Sequence, residues 1–151
     1  MNIHIRHALP ADSNHIVTLI QELAQSIGET SPITSAYVSA YLTFPGCILL
    51  LAEWHEQIAG VLSCSVRPNL YHNGNTALIE ELIIRDEWRG QGPGGELFNE
   101  LFSRLEEQGC IEVSVTTMPE NEGAIRFYRA HGLVDEAIYL EKHFLPKRST
   151  G

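Results

Sequence analysis

Two acidic residues, Glu80 and Glu81, interrupt an otherwise apolar run of Leu78, Ile79, Leu82, Ile83 and Ile84. Burying a carboxylate among such neighbours is costly unless the group is paired or put to use. Acids so placed are candidates for proton transfer, where a well-placed base contributes about 10²–10⁴ in rate. This strand-like segment, Ala77–Arg85, leads into the run Trp88-Arg89-Gly90-Gln91-Gly92-Pro93-Gly94-Gly95. An amphipathic helix leaves the run, with Leu97, Phe98, Leu101, Phe102 and Leu105 on one face. Glycines between a strand and a helix leave backbone N–H groups uncovered, at a helix end that carries roughly half a positive elementary charge. The spacing predicts a phosphorylated ligand.

The glycines alone do not say which ligand. Gly90-x-Gly92-x-x-Gly95 matches the dinucleotide-binding fingerprint, and Glu112 stands about where that fold places its ribose-binding acid. That fold, however, sets the loop after its first strand. Here a large part of the chain precedes the loop, and too little follows for two mononucleotide-binding halves. No Lys-Ser or Lys-Thr pair follows the glycines, which argues against a P-loop. A dinucleotide-dependent oxidoreductase is kept as a rival class.

A second motif narrows the choice. Asn121, Ala124, Phe127, Tyr128 and Gly132, followed by Leu133, stand downstream of Arg89-x-x-Gly92-x-Gly94. As a pair, these motifs resemble those of the GNAT superfamily of acyl-CoA-dependent N-acetyltransferases. The resemblance covers nearly the whole chain. Leu133 replaces the family's phenylalanine, a mild apolar change.

The resemblance implies roles residue by residue. Arg89 and the backbone N–H groups of Gly90, Gln91, Gly92, Gly94 and Gly95 are expected to hold the pyrophosphate of acetyl-CoA. The backbone of Leu82, Ile83 and Ile84 is expected to bond the pantetheine arm as an added strand would, with one N–H polarising the thioester carbonyl. Asn121 is expected to touch the cofactor as well as cap its helix. In small-amine members a strand acid at the position of Glu80 serves as base, often through water. The family's β-bulge in this strand shifts the register, so Glu80 is favoured over Glu81. Tyr128 is the expected general acid, because a phenol with a pKa near 10 is protonated at pH 7. Pro93 departs from the family pattern: it lacks an N–H, so cofactor binding is expected to be somewhat weaker.

The resemblance also implies that the acceptor is a small primary amine, a class that includes polyamines, aminoalkylphosphonates and aminoglycosides, bound by the first two helices and the loop before the motif strand. Tyr37, Tyr41, Arg67, Asn69, Tyr71, His72 and Asn73 are candidates to shape its site. A peptide or protein amine, or a non-catalytic acyl-CoA sensor, stands as the alternative.

These residues must be positioned by a series of elements. Ile3–Ala8 reads as a first strand. Asp12 is placed to cap a helix carrying Ile16, Ile20, Leu23 and Ile27. Ser31-Pro32 opens a short helix through Tyr37, Val38, Tyr41 and Leu42. Ile48–Trp54 and Ile58–Val66 read as a hairpin, followed by a polar loop, Arg67–Asn75. The strand, glycine run and long helix come next, closed by Gly109. Ile111–Thr117 is a β-branched strand, Asn121 precedes a helix ending at Gly132, and Glu136–Phe144 reads as a last strand. The resemblance implies an α/β fold: a mixed, mostly antiparallel twisted sheet with helices on both faces.

Composition fits one soluble domain over 1–146 with a frayed tail over 147–151. The 151 residues are 44% hydrophobic and 19% charged, ordinary for a globular chain. No apolar run approaches the ~20 residues needed to cross a bilayer, and Met1–Arg6 reads as strand, not signal peptide. Cys47, Cys64 and Cys110 are expected to be buried free thiols of a cytoplasmic protein. Neither they nor the scattered histidines have metal-ligand spacing, so no metal is expected. A net charge of −9 argues against nucleic acid and suits a cationic amine. The Ala137–Phe144 and Ile111–Thr117 segments are candidates for a homodimer interface.

Overall fold

The structure is a computed structural model that describes residues 2–145; the tail 147–151 lies outside them. Strand β1 (His4–His7) leads through a 3-10 turn (Pro10–Asp12) into helix α1 (Ser13–Ser26), and α2 (Ser35–Tyr41) follows. Strands β2 (Cys47–Trp54), β3 (Gln57–Asn69) and β4 (Gly74–Ile84) run on as a meander. The glycine run then opens α3 (Pro93–Glu107), and β5 (Glu112–Val115) and α4 (Glu122–Ala130) complete the described elements. The sheet has five strands in the order β1-β2-β3-β4-β5. Its first three pairings are antiparallel, and β4–β5 is parallel. Parallel neighbours need a long crossover, which α3 supplies. This is the mixed sheet that the resemblance implied.

Both faces of the sheet are covered because alternate residues of each strand are apolar. Ile48, Leu50, Ala52, Leu62 and Cys64 pack under Leu97, Phe98, Leu101 and Leu105 of α3. Leu49, Leu51 and Val61 pack against Ile16 and Leu19 of α1 and Val38 of α2. A complete switch of face at every residue of β2 is what the period of two demands.

Several boundaries differ from the sequence reading. The polar loop shrinks to residues 70–73, since β3 and β4 extend through Asn69 and from Gly74 and pair across Arg67–Thr76 and Pro68–Asn75. Polar side chains do not break a strand whose backbone finds a partner. Helix α2 starts at Ser35 because Thr34 Oγ1 accepts the Tyr37 N–H at 3.1 Å. Asp12 sits at the start of α1, but its carboxylate makes no cap bond there. It accepts instead from the Leu9 N–H at 2.7 Å and from the Arg6 guanidinium at 2.8 and 2.9 Å. Gly109 follows the end of α3 at φ 73°, as expected.

The expected last strand, Glu136–Phe144, is not a strand. Its backbone enters no ladder, and Ile138, Leu140 and Phe144 are 86%, 87% and 89% exposed. An apolar alternation specifies which residues want burial, not whether a neighbouring strand is there to pair with.

Candidate functional site

The site is organised by one irregularity. Across β3 and β4, Ser63 faces Glu81 and Cys64 faces Ile79, so Glu80 has no residue opposite. An extra residue on one strand is a β-bulge, and it changes the face of every side chain that follows. Before it, Ala77 and Ile79 point into the α3 core. After it, Leu82 and Ile84 pack there, while Ile83 turns to the α1–α2 side. The same shift sends Glu80 and Glu81, though adjacent, into one cavity.

That cavity has a volume of about 580 Å³ and is bounded by β2, β3, β4 and the α1–α2 pair. Glu80 is exposed at its mouth, and Glu81 is half-buried deeper in. Burial pushes the Glu81 carboxyl above its ordinary value; the Ser63 hydroxyl opposes that shift, and the charge of Glu80 adds to it. Tyr41 lines the same wall beside Cys47, and burial raises its phenol, with smaller contributions from Cys47 and the two acids. Of the thiols, only Cys64 is buried, and burial pushes it up to about 12; Cys47 and Cys110 are half-buried, contrary to expectation.

The sheet opens beside the bulge. The β4–β5 ladder ends at Ile79–Val115, while β4 continues to Ile84. Along Glu80–Ile84 the β4 edge facing β5 therefore has no strand partner among the described residues. Leu82, Ile83 and Ile84 lie on this open edge, where an extended ligand arm can pair as a strand does.

The glycine run lies beyond that edge. Gly92 precedes α3 at φ 103°, a left-handed conformation that favours glycine. Pro93 is the first helical residue and is buried. The first helical bond comes from the Glu96 N–H to Gly92 O at 3.1 Å, so Gly94 and Gly95 precede the ladder with their N–H groups at the positive helix end. A Cβ on Gly94 would stand 3.2 Å from the Phe127 ring, so glycine is also what lets α4 close on α3. The Gln91 N–H is already donated to Trp88 O at 3.3 Å, and its amide to Glu87 O at 2.8 Å. Arg89 is exposed, paired with Asp86 at 3.2 Å and donating to Ile84 O at 3.3 Å. Uncommitted N–H donors at a long helix's start, a nearby guanidinium and an open strand edge fit a pyrophosphate with an extended arm.

Tyr128 is half-buried on α4, its ring stacked on Phe98 at 5.9 Å and 12°. Burial raises its phenol, which therefore carries its proton at neutral pH. It lies on the α3–α4 face of the sheet, opposite the cavity that holds the acids; the sheet separates the two sides, and the gap between β4 and β5 is an opening between them. Asn121 Oδ1 caps α4 from the Ala124 N–H at 3.3 Å. His131, which the sequence reading passed over, is brought to the glycine run: its Nε2 lies 3.7 Å from where a Gly95 Cβ would stand, and its Nδ1 donates to Phe127 O at 2.8 Å. Its position after a helix carried no sequence signal for this.

The acceptor-site candidates divide. Tyr37 and Tyr41 line the cavity; Arg67, Asn69, Tyr71, His72 and Asn73 do not. The last five cluster at the far β3–β4 turn, where the His72 N–H donates to Asn69 Oδ1 at 2.9 Å and its ring faces Glu112 at 3.4 Å. Among the described residues no group of His, Cys, Asp or Glu is placed to hold a metal ion, and no helix is long and apolar enough to cross a membrane.

A sheet that splits beside an acid-bearing bulge, with a glycine-fronted helix next to it, defines an acyl-transfer fold. The profile of the acetyltransferase (GNAT) family matches residues 16–133, and the chain belongs to that family and is an acetyltransferase. It is 25% identical over 140 residues to the aminoalkylphosphonate N-acetyltransferase of Salmonella typhimurium, covering 93% of this chain and 86% of that one. It is likewise 25% identical over 157 residues to the thialysine N-epsilon-acetyltransferase of Bos taurus, covering 88% and 85%. A transcriptional regulator from Bacillus halodurans C-125 superposes with a TM-score of 0.83 at 28% identity, covering 95% and 100%. An aminoglycoside acetyltransferase from an uncultured soil metagenomic sample has the same fold, with a TM-score of 0.81 at 22% identity, covering 96% and 97%.

Proposed function

We propose that this protein moves an acetyl group from acetyl-CoA to a primary amine of a small molecule by direct attack. The observation that carries the reading is the bulge at Glu80, which turns two carboxylates into a cavity beside the sheet opening. Arg89, the N–H groups of Gly92, Gly94 and Gly95, and Asn121 hold the donor's pyrophosphate end. The edge of Leu82–Ile84 pairs with its arm and brings the thioester to the β4–β5 gap. An alkyl ammonium with a pKa near 10 is only about one part in a thousand free amine at pH 7, so its proton must be removed. Glu80, exposed at the mouth, accepts it, directly or through water, and passes it to solvent. The amine nitrogen forms its bond to the carbonyl carbon, the carbon–sulfur bond breaks, and Tyr128 gives its proton to the departing thiolate; the second proton on the acylated nitrogen leaves to water, from which the Tyr128 phenol is restored. Burial of Tyr128 supports its role as a protonated donor.

The relatives named for aminoalkylphosphonate and thialysine support a small amine as acceptor. The reaction is placed in the cytoplasm, where acetyl-CoA and free thiols coexist. A homodimer is also part of this reading. Its support is the exposed apolar stretch from Val134 to Leu145 and the pairing of β5, among the described residues, with β4 alone.

The test is thiol release from acetyl-CoA in the presence of a panel of primary amines, with N-terminal and lysyl peptides included. Release with small amines supports the reading. Release with peptides alone replaces the acceptor class. Tight acetyl-CoA binding without release for any amine makes the protein a sensor.

A further inference from the structure

The cavity in front of the acids has mainly apolar walls and charges of one sign. Ile16 and Ile20 of α1, Ile33, Val38 of α2, Leu49 of β2 and Val61 of β3 form its apolar sides. Its polar groups are hydroxyls, the Cys47 thiol, and the carboxylates of Glu80 and Glu81. Among the described residues that line it there is no Lys, Arg or His. Arg6 is held by Asp12 and Glu53, and Arg85 by Glu22 at 3.8 Å and by Ile58 O at 3.0 Å; Arg67, two residues beyond Ser65 on β3, does not line the cavity. Arg6 and Arg85 border a second, polar depression near His15 and Glu87, not this one.

An acceptor carries its amine towards the acids and leaves its remainder among the isoleucines. A phosphonate or carboxylate in that remainder would lose its water with no cation to replace it, while facing two like charges. A second ammonium buried among the isoleucines would lose its water in the same way. An apolar body loses nothing and gains burial. A volume of this size, within the range for a drug-sized ligand, holds an aromatic ring or a branched alkyl group.

We infer that the acceptor is a primary amine with an apolar, anion-free body, of the arylalkylamine or branched alkylamine kind. The inference rests on the acetyl-transfer reading for its chemistry and on the cavity lining for its selectivity. It sets the chain apart from enzymes whose acceptors carry a phosphonate, and Tyr37, exposed at the cavity rim, becomes a determinant of that selectivity.

The experiment compares 2-phenylethylamine, 2-aminoethylphosphonate, thialysine and spermidine in two readouts: calorimetric binding to the acetyl-CoA-saturated protein, and thiol release. Phenylethylamine is expected to lead the other three by about 100-fold in kcat/KM, the order of discrimination an apolar pocket achieves. Tyr37→Arg, at an exposed position that leaves the core intact, is expected to weaken phenylethylamine binding and tighten aminoethylphosphonate binding by about tenfold. Wild-type preference for either anionic amine overturns the inference, and preference for spermidine overturns its apolar part. If no amine releases thiol, the transfer reading fails, and the order of binding still decides the lining argument.

Discussion

Ser63 and Glu81 bind each other twice. The Glu81 N–H donates to Ser63 Oγ at 3.0 Å, and the Ser63 hydroxyl donates back to Glu81 Oε1. The hydroxyl thus serves both the backbone and the carboxylate at the point where the ladder resumes after the bulge. This fixes Glu81 as the held acid of the pair and leaves Glu80 as the exposed one.

Glu81 should reduce stability at neutral pH. Burial raises its folded pKa, so the folded state holds the proton more tightly than the unfolded state, whose value is about 4.3. The cost of the buried charge is present above the folded value and vanishes as pH falls below the unfolded one. Glu81→Gln should therefore melt higher than wild type at pH 7–8, with the gap closing towards pH 4. Each kcal/mol should appear as about 2–4 °C in a domain of this size. Thermal melts across pH check this; a gap that widens in acid would reverse the sign.

The acids and the phenol should separate in kinetics. Glu80→Gln should lower kcat/KM by about 10²-fold at pH 7 and by less at pH 10, where the amine has shed its proton unaided. Glu81→Gln should be the milder change. Tyr128→Phe should cut kcat with little effect on acetyl-CoA affinity, because only the hydroxyl leaves. A profile for Glu80→Gln parallel to wild type, beside a disabled Glu81→Gln, would exchange the two roles. Full activity in all three variants would mean that positioning alone drives the reaction.

The loop should report on the donor. Arg89→Ala should weaken acetyl-CoA binding by tenfold or more, which is at least about 1.4 kcal/mol. Pro93→Ala adds the N–H that proline lacks, so binding should tighten or stay level. The same change gives up buried packing and should lower Tm slightly. Isothermal calorimetry with acetyl-CoA and with NAD checks both; tight NAD binding would instead favour the oxidoreductase class.

The exposed stretch from Val134 to Leu145 should matter to assembly. Light scattering at micromolar concentration should give twice the monomer mass, and Ile138→Asp with Leu140→Asp should return it to one. A monomer mass for the wild type would end the idea.

The parts of this site legible in the sequence were those coded locally. The glycine run, Pro93 at a helix start, Asn121 as a cap and the apolar face of α3 each express a preference of residues within a few positions. Glu80 and Glu81 stood out because charge among apolar neighbours is rare. What the sequence withheld depends on partners. The length of the β3–β4 hairpin rests on backbone pairing that Arg67 and Asn75 do not advertise. The fate of 136–144 rests on whether a neighbouring strand exists. The approach of His131 to Gly95 needs α3 and α4 packed before it can be seen.

The parity change within β4 makes Glu80 supernumerary. Without that residue the strand would alternate evenly from Ala77 to Ile84, and Ala77, Ile79, Leu82 and Ile84 would still share the α3 face. The architecture asks for a strand one residue shorter. A chain lacking Glu80 would keep its two oily layers and lose one carboxylate, so the acid is an insertion that the sheet tolerates without depending on it.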